Sequence, residues 1–569
     1  MLSLIFLWLY ISLICLVFGH AAVKLFRFLL KEEDSPKLPL SLQVILGLGL
    51  ISAGAGYLSL FINLGLLANC IVFSAALVLI SFYHREITSF LRSGIQSLFA
   101  LNRFILALLV LSFLFILLKS AAPPSSFDTG LYHAQAIRWI EEYPVIPGLG
   151  NLHSRLAFNS AWFPANALFG FPFLQFGPVH ALNGFLMSVM LVVSLKGLDR
   201  IIRGPYFFSD ILRAALILPA LFVFKDQLSS PAPDLPAALL TCLVFIFWFQ
   251  FRESGDAPPH CVFALAIVLL ATLAITIKLS ALPLALLMLA LTCREIARKR
   301  RANILIAAGL VLFLALPFFL RNIWLSGYLL YPLSGLDLFS FDWKISAAQA
   351  LEEKRAIVEF ARDPGYLAPQ GAVKTPFAWL PYWLPQTLAD YRGKLEKILL
   401  PALLLFLDWL VHLLRMRTCR IDLSEIRKNG AAYLTVGGGL FIWFFSAPDL
   451  RFVLGFLMVF VVIIFIPFLK AYDYRVTRLF PWAVSLILLY FLAAFAALDL
   501  PAAATRLLRP LPYPQAAVSM KEIQGHKVYF PSHSGTLCWY APLPCAYRPA
   551  NFAFRGNGIA DGFKPRTAP

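Results

Sequence analysis

The chain has 569 residues, of which 60% are hydrophobic, 15% aromatic and only 14% charged, and its mean hydropathy is +0.78. This composition excludes an ordinary soluble globular protein. The net charge of +18 would suit a nucleic-acid partner, but 25 of the 48 Lys and Arg residues fall in seven segments predicted to be cytoplasmic loops. Such a bias follows the positive-inside rule, so the basic charge indicates membrane orientation.

Long apolar runs recur along the chain, and each approaches the roughly 20 residues that a helix needs to cross a bilayer. They predict an all-α polytopic membrane protein with about 14 transmembrane helices, external juxtamembrane helices and a small external C-terminal tail. Fourteen crossings put both termini outside. The predicted spans are 3–22, 39–60, 62–83, 104–120, 178–196, 208–224, 234–251, 260–276, 280–293, 303–320, 398–414, 430–446, 452–469 and 480–498.

Three segments outside these spans are interpreted without a crossing. The apolar stretch 162–176 is expected to be juxtamembrane or re-entrant, because a crossing there would place Arg200 and Arg203 outside. The loop 321–397 has a helical pattern near 345–360 and is expected to form an amphipathic cap on the outer interface. The tail beyond residue 500 is rich in Pro, Tyr and Arg and is expected to be loop-rich.

The polar stretch 125–163 follows the fourth predicted span and reads SSFDTGLYHAQAIRWIEEYPVIPGLGNLHSRLAFNSAWF. Polar and ionisable groups at the membrane boundary are expensive to place and often functional. Asp128 stands at the mouth of a predicted surface helix, where it could cap the first amides. It could also serve as a general base toward an acceptor hydroxyl or amine. The residue pattern leaves both interpretations open.

Cations at the outer ends of several helices could neutralise the charge of a departing lipid phosphate. They could equally snorkel to the interface or pair with nearby carboxylates, and Asp449 with Arg451 in particular could form a structural ion pair. The cations are Lys225, Lys278, Arg321 and Arg451, and the nearby carboxylates are Asp226, Asp234 and Asp449.

The pattern D-x-G-x-Y, given by Asp128, Gly130 and Tyr132, precedes a helix and then VIPGLGNL. This order resembles the first external loop of the GT-C superfamily of polytopic glycosyltransferases. In particular, it is similar to the branch that contains protein mannosyltransferases and the lipid A aminoarabinose transferase. Those enzymes take a sugar from a polyprenyl-phosphate carrier, so the resemblance gives the catalytic role of the loop aspartate to Asp128.

Three further stretches follow in the order of that family, and the resemblance covers roughly 104–335. SSPAPDLPAALL places Asp234 at the head of a span, and LAITIKLSALPLALL places Lys278 in a turn between two short helices. RNIWLSGYLLYPL places Arg321 at the exit into a long external loop. By resemblance, Lys278 and Arg321 hold the donor phosphate. The chain departs from the family at Thr129, which replaces the common second acid, and in the three extra spans within 1–83 that come before the span leading into the catalytic loop.

Other polar residues near Asp128 are candidates for contact with the substrate or acceptor, although satisfied loop polar groups remain an alternative. No zinc-type motif occurs, so no metal site is assigned and no cofactor is certain, although a divalent cation at Asp128 and Asp234 remains possible. Cys538 and Cys545 lie in the external tail, where an oxidising compartment would favour a disulfide. The contact candidates are Tyr132, His133, Glu142, His153 and Asp234.

The predicted organisation has five parts: extra N-terminal helices at 1–103, a GT-C-like module at 104–335 with its first external loop at 121–177, an interfacial loop at 336–397, C-terminal helices at 398–498 and the tail at 499–569. The predicted function is transfer of a sugar from a polyprenyl-phosphate donor to a glycan, lipid or protein acceptor. The predicted location is the outer face of the bacterial inner membrane. The alternatives are a transporter or flippase of lipid-linked glycans, and a non-catalytic partner in assembling a cell-envelope polysaccharide.

Overall fold

The computed structural model describes residues 1–32, 38–174, 178–255, 260–369, 371–416, 424–470, 479–532, 535–547 and 552–566. Helices of all types make up 71% of the residues that the structure describes. The α-helices are α1 Leu2–Leu30, α2 Leu40–Leu58, α3 Leu66–Phe99, α4 Arg103–Ser120, α5 Ala134–Glu142, α6 Leu149–Leu152, α7 Trp162–Leu168, α8 Leu182–Arg203, α9 Phe208–Val223, α10 Asp234–Glu253, α11 His260–Ile277, α12 Ala285–Ala297, α13 Arg301–Ser326, α14 Ala347–Arg362, α15 Leu380–Met416, α16 Ser424–Lys428, α17 Gly430–Ser446, α18 Leu454–Ile463, α19 Ile466–Lys470 and α20 Leu479–Ala503.

Within the described residues, nine helices are long and apolar enough to cross a membrane, and three shorter apolar helices accompany them. A spanning segment must satisfy its backbone hydrogen bonds internally, which explains why the apolar runs adopt helices. Each of the fourteen predicted spans overlaps a helix, but several bounds differ. Helix α3 continues to Phe99, α15 begins at Leu380 instead of near 398, and the predicted span 452–469 is divided between α18 and α19.

The N-terminal helices belong to the same hydrophobic core as the rest of the bundle. Helices α1 and α2 touch through their backbones, since a Cβ added at Gly19 would lie 1.8 Å from the carbonyl oxygen of Gln43. A Cβ at Gly47 would lie 1.7 Å from the carbonyl oxygen of Cys15. Small residues allow this close approach between helices in membranes. Helix α2 also packs on α11 and α13, so the boundary predicted at residue 103 does not separate two cores.

The loop between α4 and α8 folds into the protein and does not lie on its surface. Helix α5, predicted as a surface helix, has seven buried residues among its nine, including Trp139 and Glu141. All seven residues of α7, in the predicted juxtamembrane stretch 162–176, are buried. Helix α7 packs on α5 and on α2. The loop before α3 fixes α5 further, because the backbone N–H of Leu64 donates to the carbonyl of Ile140 at 2.9 Å.

The tail was expected to be loop-rich, and its described residues also contain two small antiparallel sheets that the sequence did not predict. A two-residue turn at Gln524 and Gly525, both with positive φ, joins the strands of the first sheet, which is the geometry that favours tight hairpins. Cys538 and Cys545 form a disulfide. The disulfide loop attaches to this hairpin through Tyr529, whose N–H donates to the carbonyl of Pro544 at 2.9 Å. The strands are β1 Val518–Ile523, β2 His526–Pro531, β3 Phe552–Phe554 and β4 Phe563–Pro565.

Candidate active site

A cavity of about 700 Å³ opens at one end of the helix bundle, where the loop before α5 meets the start of α10 and the end of α11. Its volume is in the range of small-molecule sites. Helix α14 closes one side with Ile357 and Phe360. The ionisable residues that line the cavity are Asp128, His133, Arg155, Asp234, Lys278, Asp449 and Arg451, together with Tyr132, Tyr331 and Tyr366. The apolar lining includes Phe127, Phe158, Phe163, Ile277, Leu279, Phe318, Ile357, Phe360 and Phe452.

Asp128 directly precedes a π-helical turn at Thr129–His133, which leads into α5. The backbone N–H of Ala134 donates to the carbonyl of Thr129, closing the wider turn. The Asp128 side chain makes no capping hydrogen bond, so the interpretation of Asp128 as a helix cap is wrong. Single π-turns often occur at functional sites, where the extra residue changes the direction of a side chain. Here the carboxylate lines the cavity and is 17% exposed.

Asp128 lies between two arginines. Nη1 of Arg451 donates to its Oδ2 at 2.7 Å, and Nη1 of Arg155 approaches its Oδ1 at 3.5 Å. Arg155 also forms an ion pair with Glu353 of α14, with an Nε to Oε1 distance of 3.2 Å. Arg451 forms a second ion pair with Asp449 at 2.7 Å. The carboxylate is therefore the centre of a continuous chain of alternating charges.

Arg451 lies in a short break between helices α17 and α18. Asp449 begins a 3₁₀ turn at Leu450–Phe452 and accepts a hydrogen bond from the backbone N–H of Arg451 at 3.0 Å. Asp449 also accepts a hydrogen bond from the hydroxyl of Tyr391 on α15 at 2.8 Å. Burial by itself lowers the pKa of Arg451, but the carboxylates of Asp449, Asp234 and Asp128 raise it above the ordinary value. Arg451 therefore stays positively charged throughout the physiological pH range.

Lys278 and Asp234 form a second charged pair in the same cavity. Lys278 follows the end of α11 in an extended conformation, and a 3₁₀ turn at Leu279–Leu284 follows it. Its Nζ contacts Asp234 Oδ1 at the first residue of α10 and lies 4.3 Å from the centre of the Phe452 ring. The predicted turn between two short helices therefore brings the lysine into the cavity.

Tyr132 and His133 both line the cavity beside Asp128. Burial lowers the pKa of His133 to about 4, although Asp128 and Asp234 oppose this shift. The imidazole is therefore neutral near pH 7, and its Nδ1 lies 3.3 Å from the hydroxyl of Thr129. Burial, reinforced by Asp128, raises the pKa of Tyr132 above the ordinary value. Tyr132 thus keeps its phenolic proton.

Three residues predicted from the sequence lie away from the cavity lining. Arg321 is 4% exposed within α13 and donates from Nη1 to the hydroxyl of Ser59 at 2.7 Å and from Nε to Oδ1 of the cavity-lining Asn159 at 3.4 Å, so it lies behind the cavity wall. Glu142 forms an ion pair with Arg138 at 2.5 Å. His153 is buried and accepts a hydrogen bond from the backbone N–H of Arg155 at 3.1 Å. Burial followed by the Arg155 charge lowers the pKa of His153 to about 3.

The tail contacts the segment that positions Asp128. The backbone N–H of Trp539, inside the disulfide loop, donates to the carbonyl of Gly130 at 2.8 Å. Nε2 of Gln135 donates to the carbonyls of Trp539 and Ala541 at 3.1 and 2.9 Å. A Cβ at Gly130 would lie only 2.7 Å from the Trp539 ring. The glycine of the D-x-G-x-Y pattern is therefore required by close packing against the tail.

The buried Glu141 adds a second connection to the tail. It accepts a hydrogen bond from the hydroxyl of Tyr540, and Nε2 of His180 lies 3.1 Å from its Oε1. The other ring nitrogen of His180 lies 2.6 Å from the hydroxyl of Tyr513. Burial, together with Glu141, raises the pKa of both tyrosines above the ordinary value. Both phenols therefore remain protonated and can donate to their partners.

Sequence reasoning did not find Arg155 as a partner of Asp128, and it treated Arg451 as a weaker candidate. Arg155 lies 27 positions from Asp128 in the chain and Arg451 lies 323 positions away. The only local signal is P-D-L-R at 448–451, an acid and a base enclosed between two apolar helices. A charged pair between two apolar membrane helices is unfavourable in free energy unless it faces a cavity or a partner.

One protein-family model matches residues 1–458, and its description is "Domain of unknown function (DUF8201)". The chain belongs to this family. The match includes every residue that lines the cavity, whereas the tail lies beyond it. Neither the curated proteins nor the solved structures contain a match to the chain.

Proposed function

We propose that the protein is an integral membrane glycosyltransferase that moves a sugar from a polyprenyl-phosphate donor to an acceptor. The observation that carries the proposal is the position of Asp128 on a large cavity that combines fixed cations with an extensive apolar wall. A polyprenyl-phosphate sugar matches both features of the cavity, because its isoprenoid tail is apolar and its phosphate is anionic. The resemblance of 104–335 to GT-C glycosyltransferases supports the same chemistry.

In the proposed reaction, an acceptor oxygen or nitrogen attacks the anomeric carbon while Asp128 takes the acceptor proton. The bond between the anomeric carbon and the phosphate oxygen breaks, and the bonding electrons leave with the phosphate. Fixed cations stabilise this charge where it develops. Lys278 and Arg451 are the cations we assign to the phosphate, because both line the cavity on the side of Asp234 and Phe452. A direct displacement of this kind inverts the anomeric configuration.

The proposal includes a membrane orientation. In this orientation the fourteen crossings predicted from the sequence keep the basic loops in the cytoplasm, and the cavity would face the periplasmic side of a bacterial inner membrane. The disulfide between Cys538 and Cys545 agrees with this orientation, since disulfides persist in oxidising compartments. The acceptor, whether glycan, lipid or protein, would approach from the same aqueous side.

The decisive experiment compares the wild type with Asp128→Asn, using the purified full chain and radiolabelled polyprenyl-phosphate sugars. We expect a loss of turnover of about 10²–10⁴-fold, the usual contribution of a general base. Asp390→Asn is the matched control, because this exposed carboxylate on α15 accepts hydrogen bonds from Gln386 away from the cavity. Equal turnover by wild type and Asp128→Asn would remove Asp128 from the mechanism. Lipid movement without sugar transfer would favour a flippase instead.

A further inference from the structure

Arg155 is shared between two carboxylates at the edge of the cavity. It lies in a 3₁₀ turn at Ser154–Ala157, within ion-pair distance of both Asp128 and Glu353. Its Nε is 3.2 Å from Oε1 of Glu353, whereas its Nη1 is 3.5 Å from Oδ1 of Asp128. A close charge-assisted hydrogen bond between such groups measures about 2.7–2.9 Å. The longer contact with Asp128 therefore leaves room for Arg155 to move closer.

Glu353 is held in place by contacts other than its ion pair with Arg155. Its Oε2 accepts a hydrogen bond from the hydroxyl of Ser154 at 2.8 Å. Ala350, one turn earlier on α14, is buried in a small cluster with Tyr328. The Glu353 side chain is only 11% exposed, so water screens its charge less than it would at the surface. Glu353 therefore presents a fixed negative charge to Arg155.

The position of Arg155 matters for a carboxylate that has to accept a proton. A close opposite charge favours the ionised form of a carboxylate and so opposes its protonation. Asp128 already has one such partner, because Nη1 of Arg451 donates to its Oδ2 at 2.7 Å. If Arg155 closed on Oδ1 as well, arginines would engage both oxygens. Within the part of the chain that the structure describes, Glu353 is the only carboxylate besides Asp128 within ion-pair distance of Arg155. It is therefore the charge that opposes this closure.

We propose that Glu353 is a positioning residue for sugar transfer, which restrains Arg155 from closing on Asp128 and so leaves that carboxylate able to take the acceptor proton. The inference rests on the proposed function, because that function assigns the proton to Asp128. Among the described residues, Glu353 is within ion-pair distance of neither Lys278 nor Arg451. The role of Glu353 therefore concerns the base and not the binding of the donor phosphate.

The first measurement needs no turnover. It is the coupling between Asp128 and Arg155 in denaturant unfolding of the full chain in one detergent, from Asp128→Asn, Arg155→Gln and their double variant. The cycle is then repeated with Glu353→Gln in every member. We expect the coupling to strengthen about tenfold or more in the unfolding equilibrium constant, because the released Arg155 can form a close charge-assisted hydrogen bond with Asp128. An unchanged or weaker coupling overturns the proposal.

The second measurement is turnover of a radiolabelled polyprenyl-phosphate sugar. Glu353→Gln should lower kcat by about 10- to 100-fold, the equivalent of one charge-assisted hydrogen bond, and leave the donor KM within about threefold. Adding Arg155→Gln should restore about tenfold or more, because the side chain that closes on Asp128 is then absent. A loss that Arg155→Gln does not relieve would mean that Glu353 only docks α14, and it overturns the proposal. The matched control is Glu352→Gln, an exposed neighbour outside the cavity lining, which should keep wild-type turnover.

The two measurements separate this inference from the proposed function. A stronger coupling in a protein that turns over no lipid-linked sugar would refute the proposed function and support the restraint on Arg155. Turnover that depends on Asp128 but not on Glu353 would support the function and overturn the inference. Glu353→Gln keeps an acceptor oxygen for Ser154, and the thermal unfolding midpoint verifies its folding. Glu353→Asp, which withdraws the charge from Arg155 by one methylene, replaces it if it does not fold, with a smaller loss and the same rescue.

Discussion

From the contact between Gly130 and Trp539 we predict whether a substitution at Gly130 raises or lowers the free energy of unfolding. Replacing Gly130 by Ala places a methyl group 2.7 Å from Cε2 of Trp539, and 2.9 Å from both Cδ2 and Cζ2. The ring cannot move away freely, because the Trp539 backbone is held by hydrogen bonds to Gly130 and Gln135. Overpacking of this kind costs about 1–3 kcal/mol. We therefore expect Gly130→Ala to destabilise the protein.

The same substitution should have the opposite effect once the ring is removed. In a helical turn without steric conflict, Gly→Ala typically stabilises by about 1 kcal/mol. Gly130→Ala should therefore be neutral or stabilising in a Trp539→Ala background, with a coupling free energy of about 1–3 kcal/mol in the double-mutant cycle. Gly309→Ala on α13 is the control, because a Cβ there meets no atom within 4 Å.

The assay is thermal or denaturant unfolding of the purified chain in one detergent, repeated for the four members of the cycle and the control. Turnover of the lipid-linked donor, measured on the same samples, reports whether displacing the π-turn disturbs Asp128. Additive effects of Gly130→Ala and Trp539→Ala would refute the argument that the tail fixes the geometry of this turn. A destabilised Gly309→Ala would show that the effect belongs to helical glycines in general.

Three further predictions concern the charges and the tail. Lys278→Gln and Arg451→Gln should each weaken donor binding by about tenfold or more, because each removes a charge-assisted contact to phosphate of about 1.5–3 kcal/mol. Isothermal titration calorimetry measures the donor affinity, and equal affinity for variant and wild type would contradict this prediction. Reduction of the disulfide should destabilise the tail by about 2.5 kcal/mol by loop-closure entropy, and hydrogen exchange at 518–531 should rise on adding reductant. In the folded protein the pKa of His133 is lowered to about 4, whereas the ordinary value is about 6.5. The contribution of the neutral imidazole to stability is therefore complete above about pH 6.5 and is lost as the pH falls toward 4. Over this range the unfolding midpoint of His133→Asn should fall less steeply than that of the wild type.

The helices were predictable from the sequence because a long apolar run in a membrane has few alternatives to a helix. Their ends were not, since α3 and α15 continue through polar segments where hydropathy gives no signal. The short strands of the tail were missed for a related reason. Strands of three to six residues among Pro, Gly and aromatic residues have no clear alternation.

The candidate site was predictable where its residues follow each other and unpredictable where the fold brings them together. Asp128, Tyr132 and His133 lie within one turn, and all three line the cavity. Arg155 and Arg451 approach Asp128 only through tertiary packing, so no spacing could reveal them. Arg321 shows the converse, because its position at a helix end suggested exposure while the structure buries it against Ser59.

The ion pairs of Asp128 suggest an order of events for the proposed reaction. Without a donor, Arg451 is shared between Asp128 and Asp449, so the carboxylate that should accept a proton is engaged by a cation. A donor phosphate carries the same kind of charge and competes for Arg451. Its binding would leave one oxygen of Asp128 available to the acceptor, while Arg155, itself paired with Glu353, stays beside the other oxygen. Donor binding would thus prepare the base, and an acceptor that arrived first would meet a carboxylate still paired with Arg451.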